Sequence, residues 1–254
     1  MARIIGEMAR TKLVVASVRK TGVPELSAVA IAGSRLYVAD DEKGVALLGA
    51  RGASFGKNGS IEGIEGLTAS GDGKALYAVS ENSGRLYRMA IGRDGAIGPE
   101  VELGKLPRAG SSKKKGWEGA AWLSKAQSVE KRERLVIVNE KKPRCVGLFA
   151  PDDLDDHEIL DLPDELADEL DDLSDVAIEP STGFLWILSD ESSAIGIAEL
   201  VKDDDGDLAL EAREVIALPL KDAQSEGIVF DAKGRLLLAS EEGGTLHTLD
   251  VRRR

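Results

Sequence analysis

The chain has 254 residues, a formal charge of −12 and no apolar run near the length that spans a bilayer. Such an excess of carboxylates argues against nucleic acid or an anionic membrane as partner, because both reward basic surface; a metal ion, a cationic ligand or plain solubility remain. The lone cysteine, Cys145, excludes an intrachain disulfide and reads as a small apolar strand residue.

The N-terminal stretch carries Arg3, Glu7, Arg10 and Lys12. Its longest apolar run, Leu13 to Ala16, is too short for a secretory core, so the chain as given reads as soluble and cytoplasmic; one relieved of a leader would read the same way. Lys12–Val18 has strand character but no neighbour in sequence to pair with.

From Leu26 on, a two-part phrase recurs five times. The first part is an acid or hydroxyl, usually a small residue next, then an apolar run: it contains Ser27, Glu65, Glu118, Ser174 and Glu226 in turn. The second part is an apolar strand ending in an acid: Asp41, Glu81, Glu140, Asp190 and Glu241. The phrases recur at roughly 40 to 55 residues, the scale of a propeller blade. The repeat units are 26–61, 64–104, 117–163, 173–218 and 225–250, the last completed by 12–18, all within one domain spanning 1–254. Each unit reads as four short antiparallel strands. In the second they are Ile64–Ala69, Ala75–Ser80, Arg85–Ala90 and Glu100–Leu103, with Ser70-Gly71-Asp72-Gly73 as the first turn. Outer strands are expected within Ala53–Ile61 in unit one, and at Glu158–Leu162 and Arg213–Leu218 in units three and four. Unit five lacks one. The pattern predicts an all-β, five-bladed propeller in which Lys12–Val18 completes the last blade and closes the ring, removing the open edges. Insertions fall at Arg108–Gly116, Ser124–Arg132 and Asp164–Asp172, the last long enough for one or two helical turns.

In an antiparallel hairpin, the residue opening strand one and the residue closing strand two lie at the same end. Ring closure therefore gathers Ser27, Glu65, Glu118, Ser174 and Glu226 around the axis, and sets the second group of acids near the same mouth. Gly66, Gly119 and Gly227 suit a crowded axis. Asp175 stands where those units have glycine and offers a further oxygen. Carboxylates forced together must bind a cation, hold protons or hydrate strongly. Oxygen donors without imidazole or thiolate suit Ca²⁺ before Mg²⁺. The candidate metal ligands are Glu65, Glu118 and Glu226, with Ser27, Ser174 and Asp175 as further ligand-binding residues and Trp117 as a platform at the mouth. The second group of acids is expected to cap tight loops. Trp122 and Trp186 are expected between blades, His157 and His247 on outer strands, and Lys113-Lys114-Lys115 in a solvated loop. No phosphate loop, nucleophile elbow or histidine metal pair is found.

Taken in order, Lys115-Gly116-Trp117-Glu118-Gly119 with Val138-Asn139-Glu140-Lys141, Asp172-Leu173-Ser174 with Ile187-Leu188-Ser189-Asp190-Glu191, and Glu226-Gly227-Ile228 with Ala239-Ser240-Glu241 resemble the SdiA-regulated family of bacterial β-propeller proteins. The resemblance covers most of Ser27 to Leu249. It implies a propeller with Ca²⁺ at the axis, kinship with esterase-like phytase propellers and, more remotely, calcium-dependent lactonases, and no assigned activity. Members are often exported or membrane-anchored. Asp175 and Ala28 depart from the family's usual glycine.

Three functions follow. The first is a propeller that binds a divalent cation and, through it, a small molecule or protein on the acidic face. The second is a metal-dependent hydrolase of ester, lactone or phosphoester bonds, with Glu118 as catalytic base. The third is a protein-interaction scaffold.

Overall fold

A computed structural model of the chain describes residues 11–56, 61–109, 116–220 and 224–253. The lysine-rich stretch Lys113–Lys115, and with it most of the Arg108–Gly116 insertion, lies outside the described residues.

Among the described residues, twenty strands form five four-stranded antiparallel sheets arranged as a ring. Strand β1 (Thr11–Lys20) comes first in sequence but is outermost in the last blade. Blade one is β2 (Leu26–Ala32), β3 (Arg35–Asp40), β4 (Gly44–Gly49) and β5 (Gly52–Phe55). Blade two is β6 (Ile64–Ala69), β7 (Ala75–Ser80), β8 (Arg85–Ile91) and β9 (Ile97–Lys105). Blade three is β10 (Trp117–Leu123), β11 (Arg134–Asn139), β12 (Cys145–Ala150) and β13 (Asp153–Asp161). A single helical turn, α1 (Asp164–Ala167), then leads to blade four: β14 (Asp175–Ile178), β15 (Leu185–Ser189), β16 (Ala194–Lys202) and β17 (Leu208–Ala217). Blade five is β18 (Ser225–Phe230), β19 (Leu236–Ser240) and β20 (Thr245–Arg253), completed by β1.

The closing strand pairs along its whole length with β20, from Thr11 opposite Arg253 to Lys20 opposite Thr245. The outer strands begin earlier than expected: β13 at Asp153, β17 at Leu208 and β5 at Gly52. Their half-exposed, charge-rich faces carry little of the apolar signal that marks the inner strands. His157 lies on an outer strand as expected, whereas His247 lies on β20, which β1 covers on its outer side.

The core is not one mass but five slabs, each shared by two neighbouring blades. Alternation in the second strands explains this. On β19, Leu236 and Leu238 join Trp186 and Leu188 of blade four, while Leu237 and Ala239 join Leu26 and Val38 of blade one. On β7, Leu76 and Ala78 face blade one, and Ala75, Tyr77 and Val79 face blade three. A strand buried on both faces reads as an unbroken apolar run, which is how these strands appear in the sequence. Trp186 is fully buried and meets Phe230 edge-on at 5.1 Å. Trp122 tilts against Tyr77 of blade two at 5.6 Å. Both tryptophans sit between blades as expected.

Candidate functional site

Four of the five inner strands carry a register break at the same place. It falls between Leu26 and Ala28, Ile64 and Gly66, Trp117 and Ala120, and Ser225 and Gly227. The residue thrown out of register is the polar one of each phrase: Ser27, Glu65, Glu118 and Glu226. A bulge leaves its extra residue unpaired and re-aims its side chain. Here it turns three carboxylates and one hydroxyl toward the axis. Blade four has no break; its ladder starts at Asp175, opposite Leu188.

Just beneath the bulges neighbouring inner strands crowd one another. A Cβ added at Gly119 would sit 2.1 Å from the Asp175 Cα, and one at Gly66 would sit 2.2 Å from the Glu118 carbonyl oxygen. Ser27 Oγ donates to the Ile64 carbonyl of the next blade at 2.5 Å. The Asp175 carboxyl group accepts the Ile228 amide at 2.7 Å. These contacts run from blade to blade, and two separately lined cavities lie along the inner strands. One, of about 310 Å³, is lined by inner-strand residues such as Val29, Leu67, Val176 and Ile228, with Trp122 at its wall and no charged side chain.

The other mouth is its electrostatic opposite. Its cavity is also about 310 Å³, and among the described residues its lining includes eleven carboxylates and one lysine. Ser27, Glu65, Glu118, Ser174 and Glu226 all line it, as do Asp41, Glu81, Glu140, Asp190 and Glu241. Lys141 is held by Glu191 at 2.7 Å and by Glu140 at 3.4 Å.

Burial, then the nearby Asp41 and Glu226, push the Glu65 carboxyl up to about 8. Burial, then Asp190 and Glu241, push Glu226 up to about 7. Glu118 is raised well above the carboxylate range, first by burial and then by Glu140, Glu81 and Glu65. Asp41, Asp172 and Glu241 are raised as well, each chiefly by burial. Carboxylates of one sign in one enclosure stabilise each other's neutral forms.

Within this vestibule Glu81, Glu118 and Glu140 each bring one oxygen to within 4.8 Å of the other two, a group that could hold a metal ion. Glu65 and Glu226 line the same vestibule outside this group. The difference from the expected set follows from the hairpin geometry. Glu118 opens an inner strand, Glu140 closes the second strand of the same blade, and Glu81 closes the second strand of the blade before it. The tightest cluster therefore forms at one blade boundary, not around the axis.

The loop-capping role expected for the second group of acids falls one residue earlier. Asp40 Oδ1 accepts the amides of Glu42 and Lys43 at 3.2 and 2.9 Å. Ser80 and Ser189 accept those of Ser83 and Ser192 at 3.3 and 3.1 Å. Asn139 clasps the carbonyls of Lys141 and Pro143, both at 2.7 Å. With the caps supplied there, the acids that follow are turned to the vestibule. Asp190 also takes an interblade amide, that of Ser225, at 2.6 Å.

Trp117 is no platform at the mouth. It is 2% exposed, meets Phe149 edge-on at 5.4 Å and donates its indole N–H to the Pro107 carbonyl at 2.6 Å. Strand alternation sends it into the slab between blades two and three while Glu118 turns to the axis. Asp175 serves the ring rather than the vestibule: it is 1% exposed and is not among the lining residues. Sequence reasoning passed over Glu25 as a lining residue, and placed no role on Asp172. Each lies two positions before a phrase whose polar residue is serine, and each supplies the carboxylate which that serine lacks. Neither histidine lines the vestibule. Cys145 is fully buried, with its thiol pushed up to about 12 by burial.

No helix among the described residues is long and apolar enough to cross a membrane. No curated protein matches the chain in sequence. Among solved structures it resembles the glutaminyl cyclase of Myxococcus xanthus, with a TM-score of 0.63 at 14% identity, covering 98% of this chain and 100% of that one. It also resembles the PQQ-bound aldose sugar dehydrogenase of Streptomyces coelicolor, with a TM-score of 0.56 at 14% identity over 97% and 86% of the two chains. The virginiamycin B lyase of Staphylococcus aureus aligns with a TM-score of 0.50 at 13% identity over 96% and 74%. At these identities the likeness is one of fold. The SdiA-regulated family profile matches residues 38–243, which takes in all five acidic phrase ends, and the chain belongs to that family.

Proposed function

We propose that this propeller binds a divalent cation, Ca²⁺ before Mg²⁺, in the acidic vestibule and uses it to hold a ligand there. The observation that carries the reading is the approach of Glu81, Glu118 and Glu140 to within 4.8 Å of one another. Oxygens coordinated to one Ca²⁺ lie at about 2.3–2.6 Å from it, so they fall within about twice that of each other. Bringing like charges this close is costly without protons or a cation. The donors are all carboxylate oxygens, which favours a hard ion. Three protein ligands leave coordination positions for water or a ligand from the open side.

Calorimetry on chelator-treated protein tests this. Ca²⁺ should bind with a stoichiometry of one, more tightly than Mg²⁺, and Glu118→Gln should abolish binding. No Ca²⁺ binding at millimolar concentration, by folded protein, refutes it.

A hydrolytic reading draws support from one feature. Glu65, pushed up to about 8, exchanges its proton near neutrality beside the cluster. With Glu118 occupied as an ion ligand, Glu65 rather than Glu118 would be the base acting on an ester, lactone or phosphoester. A substrate panel compared between parent and Glu65→Gln tests it.

A further inference from the structure

We infer that the groove beside the vestibule is a binding pocket for a small organic anion, a molecule bearing a carboxylate or phosphate on an apolar body. The inference extends the cation reading, because Glu81 belongs to the linings of both cavities. This second cavity, of about 300 Å³, lies between blades two and three on the acidic face.

Three cations, Lys105, Arg108 and Lys142, line it, and among the described residues none of them has a carboxylate within ion-pair distance. In a chain of charge −12, three cations without an acidic partner among the described residues, against the one carboxylate of Glu81, give this cavity a net charge opposite in sign to the vestibule's. Each cation is carried on a backbone pinned by a specific bond. Leu106 donates its amide to the Gly84 carbonyl at 2.9 Å, which fixes the end of β9, and the Lys105 stem passes over Gly84. The Trp117 indole holds the Pro107 carbonyl at 2.6 Å and so positions Arg108. The Asn139 clasp on Lys141 and Pro143 fixes the loop that carries Lys142. Leu106, Pro107 and Pro143 supply an apolar wall.

The arrangement is bipartite. A cation in the vestibule and three basic side chains beside it would face one ligand from two sides, with Glu81 between them already committed to the ion. Guanidinium and ammonium groups pair with carboxylate and phosphate oxygens. Trp117 also lines this cavity, and its indole N–H braces the segment that carries Arg108.

The test is calorimetry with inorganic phosphate and phenyl phosphate, with and without Ca²⁺, on the full chain. Phenyl phosphate should bind, and more tightly than inorganic phosphate because the wall covers its ring. The variant K105A/R108A/K142A should bind it at least about tenfold more weakly, a loss of about 1.4 kcal/mol. K125A, at the opposite mouth, should behave as the parent does. All three side chains are exposed, so folding should survive; the single exchange Lys142→Glu repeats the test should the triple variant lose stability. Equal affinity in parent and variant, or no binding by the parent at millimolar phenyl phosphate, overturns the pocket. Ca²⁺ titrations on the same samples keep the two ideas apart. A triple variant that loses phenyl phosphate but keeps Ca²⁺ supports the pocket. Binding of phenyl phosphate that needs the three cations, in a protein that takes no Ca²⁺, also supports the pocket while removing the cation reading.

Discussion

The carboxyl group of Asp175 accepts the main-chain amide of Ile228 at 2.7 Å, tying the inner strand of blade four to that of blade five. Blades one, two, three and five have Ala or Gly at this position of the phrase: Ala28, Gly66, Gly119 and Gly227. In those blades the neighbours meet directly, backbone against backbone. Blade four starts its ladder without a bulge and uses a side chain instead.

Asp175→Ala should therefore destabilise the protein by about 1–3 kcal/mol, because it leaves a buried amide without an acceptor. Asp175→Asn keeps an acceptor of the same shape and should cost about 1 kcal/mol or less. Urea unfolding of both variants checks the ranking.

The close approach at the axis sets a second ranking. Gly119→Ala and Gly66→Ala would force a methyl group to about 2 Å from neighbouring backbone, and each should cost about 1–3 kcal/mol or more. At Gly227 the nearest atom, the Ala28 Cα, is 3.0 Å away, so Gly227→Ala should be the mildest of the three. Thermal melts of the three variants decide this.

The raised carboxyls make the metal-free protein sensitive to alkali. Glu65 titrates near 4.5 in the unfolded chain and near 8 in the fold, and Glu226 moves from 4.5 to about 7. A proton therefore favours the folded state. The stability it contributes is fully present below about 4.5 and is lost as pH rises through 7 and 8. The melting temperature of chelator-treated protein should fall between pH 5 and pH 8 from this source. The double variant E65Q/E226Q should flatten that slope and be more stable than the parent at pH 8.

Ca²⁺ should reverse the same loss. At a free concentration a hundredfold above its dissociation constant it should add about 2.7 kcal/mol to the folded state. The gain should vanish in Glu118→Gln and in Glu140→Gln and persist in Glu226→Gln. Melts at pH 8 with Ca²⁺ and with chelator measure it.

Removal of 11–20 should break the ring. The deletion strips β1 from β20 and opens a nine-residue strand edge from Thr245 to Arg253. An open edge of this kind pairs with other chains. Light scattering should show association, and unfolding should lose its single sharp transition.

The blade count, the strand order and the closing strand were legible because five phrases share one pattern and one blade lacks a partner. Inner and second strands such as Ile64–Ala69 and Ala75–Ser80 were placed to the residue, the first by its repeated phrase and the second by the near-continuous apolar run that burial on both faces writes. Outer strands such as β13 and β17 were read short, because half of each faces water. The five polar phrase residues share one mouth because hairpin topology brings them to the same end, and bulges then aim four of them inward. Trp117 was misread because the residue next to the axis-facing Glu118 points the other way, into the slab between blades two and three.

What the sequence determined by itself was that acids from distant stretches converge, since periodic hairpins leave no other arrangement once the ring closes. Which of those acids come within reach of one ion, and that basic side chains stand beside them, was decided only by the tertiary structure. The physical reason is that a one-residue bulge and a cap supplied one position early re-aim side chains by distances on the order of a metal–oxygen bond, which a repeat pattern does not record.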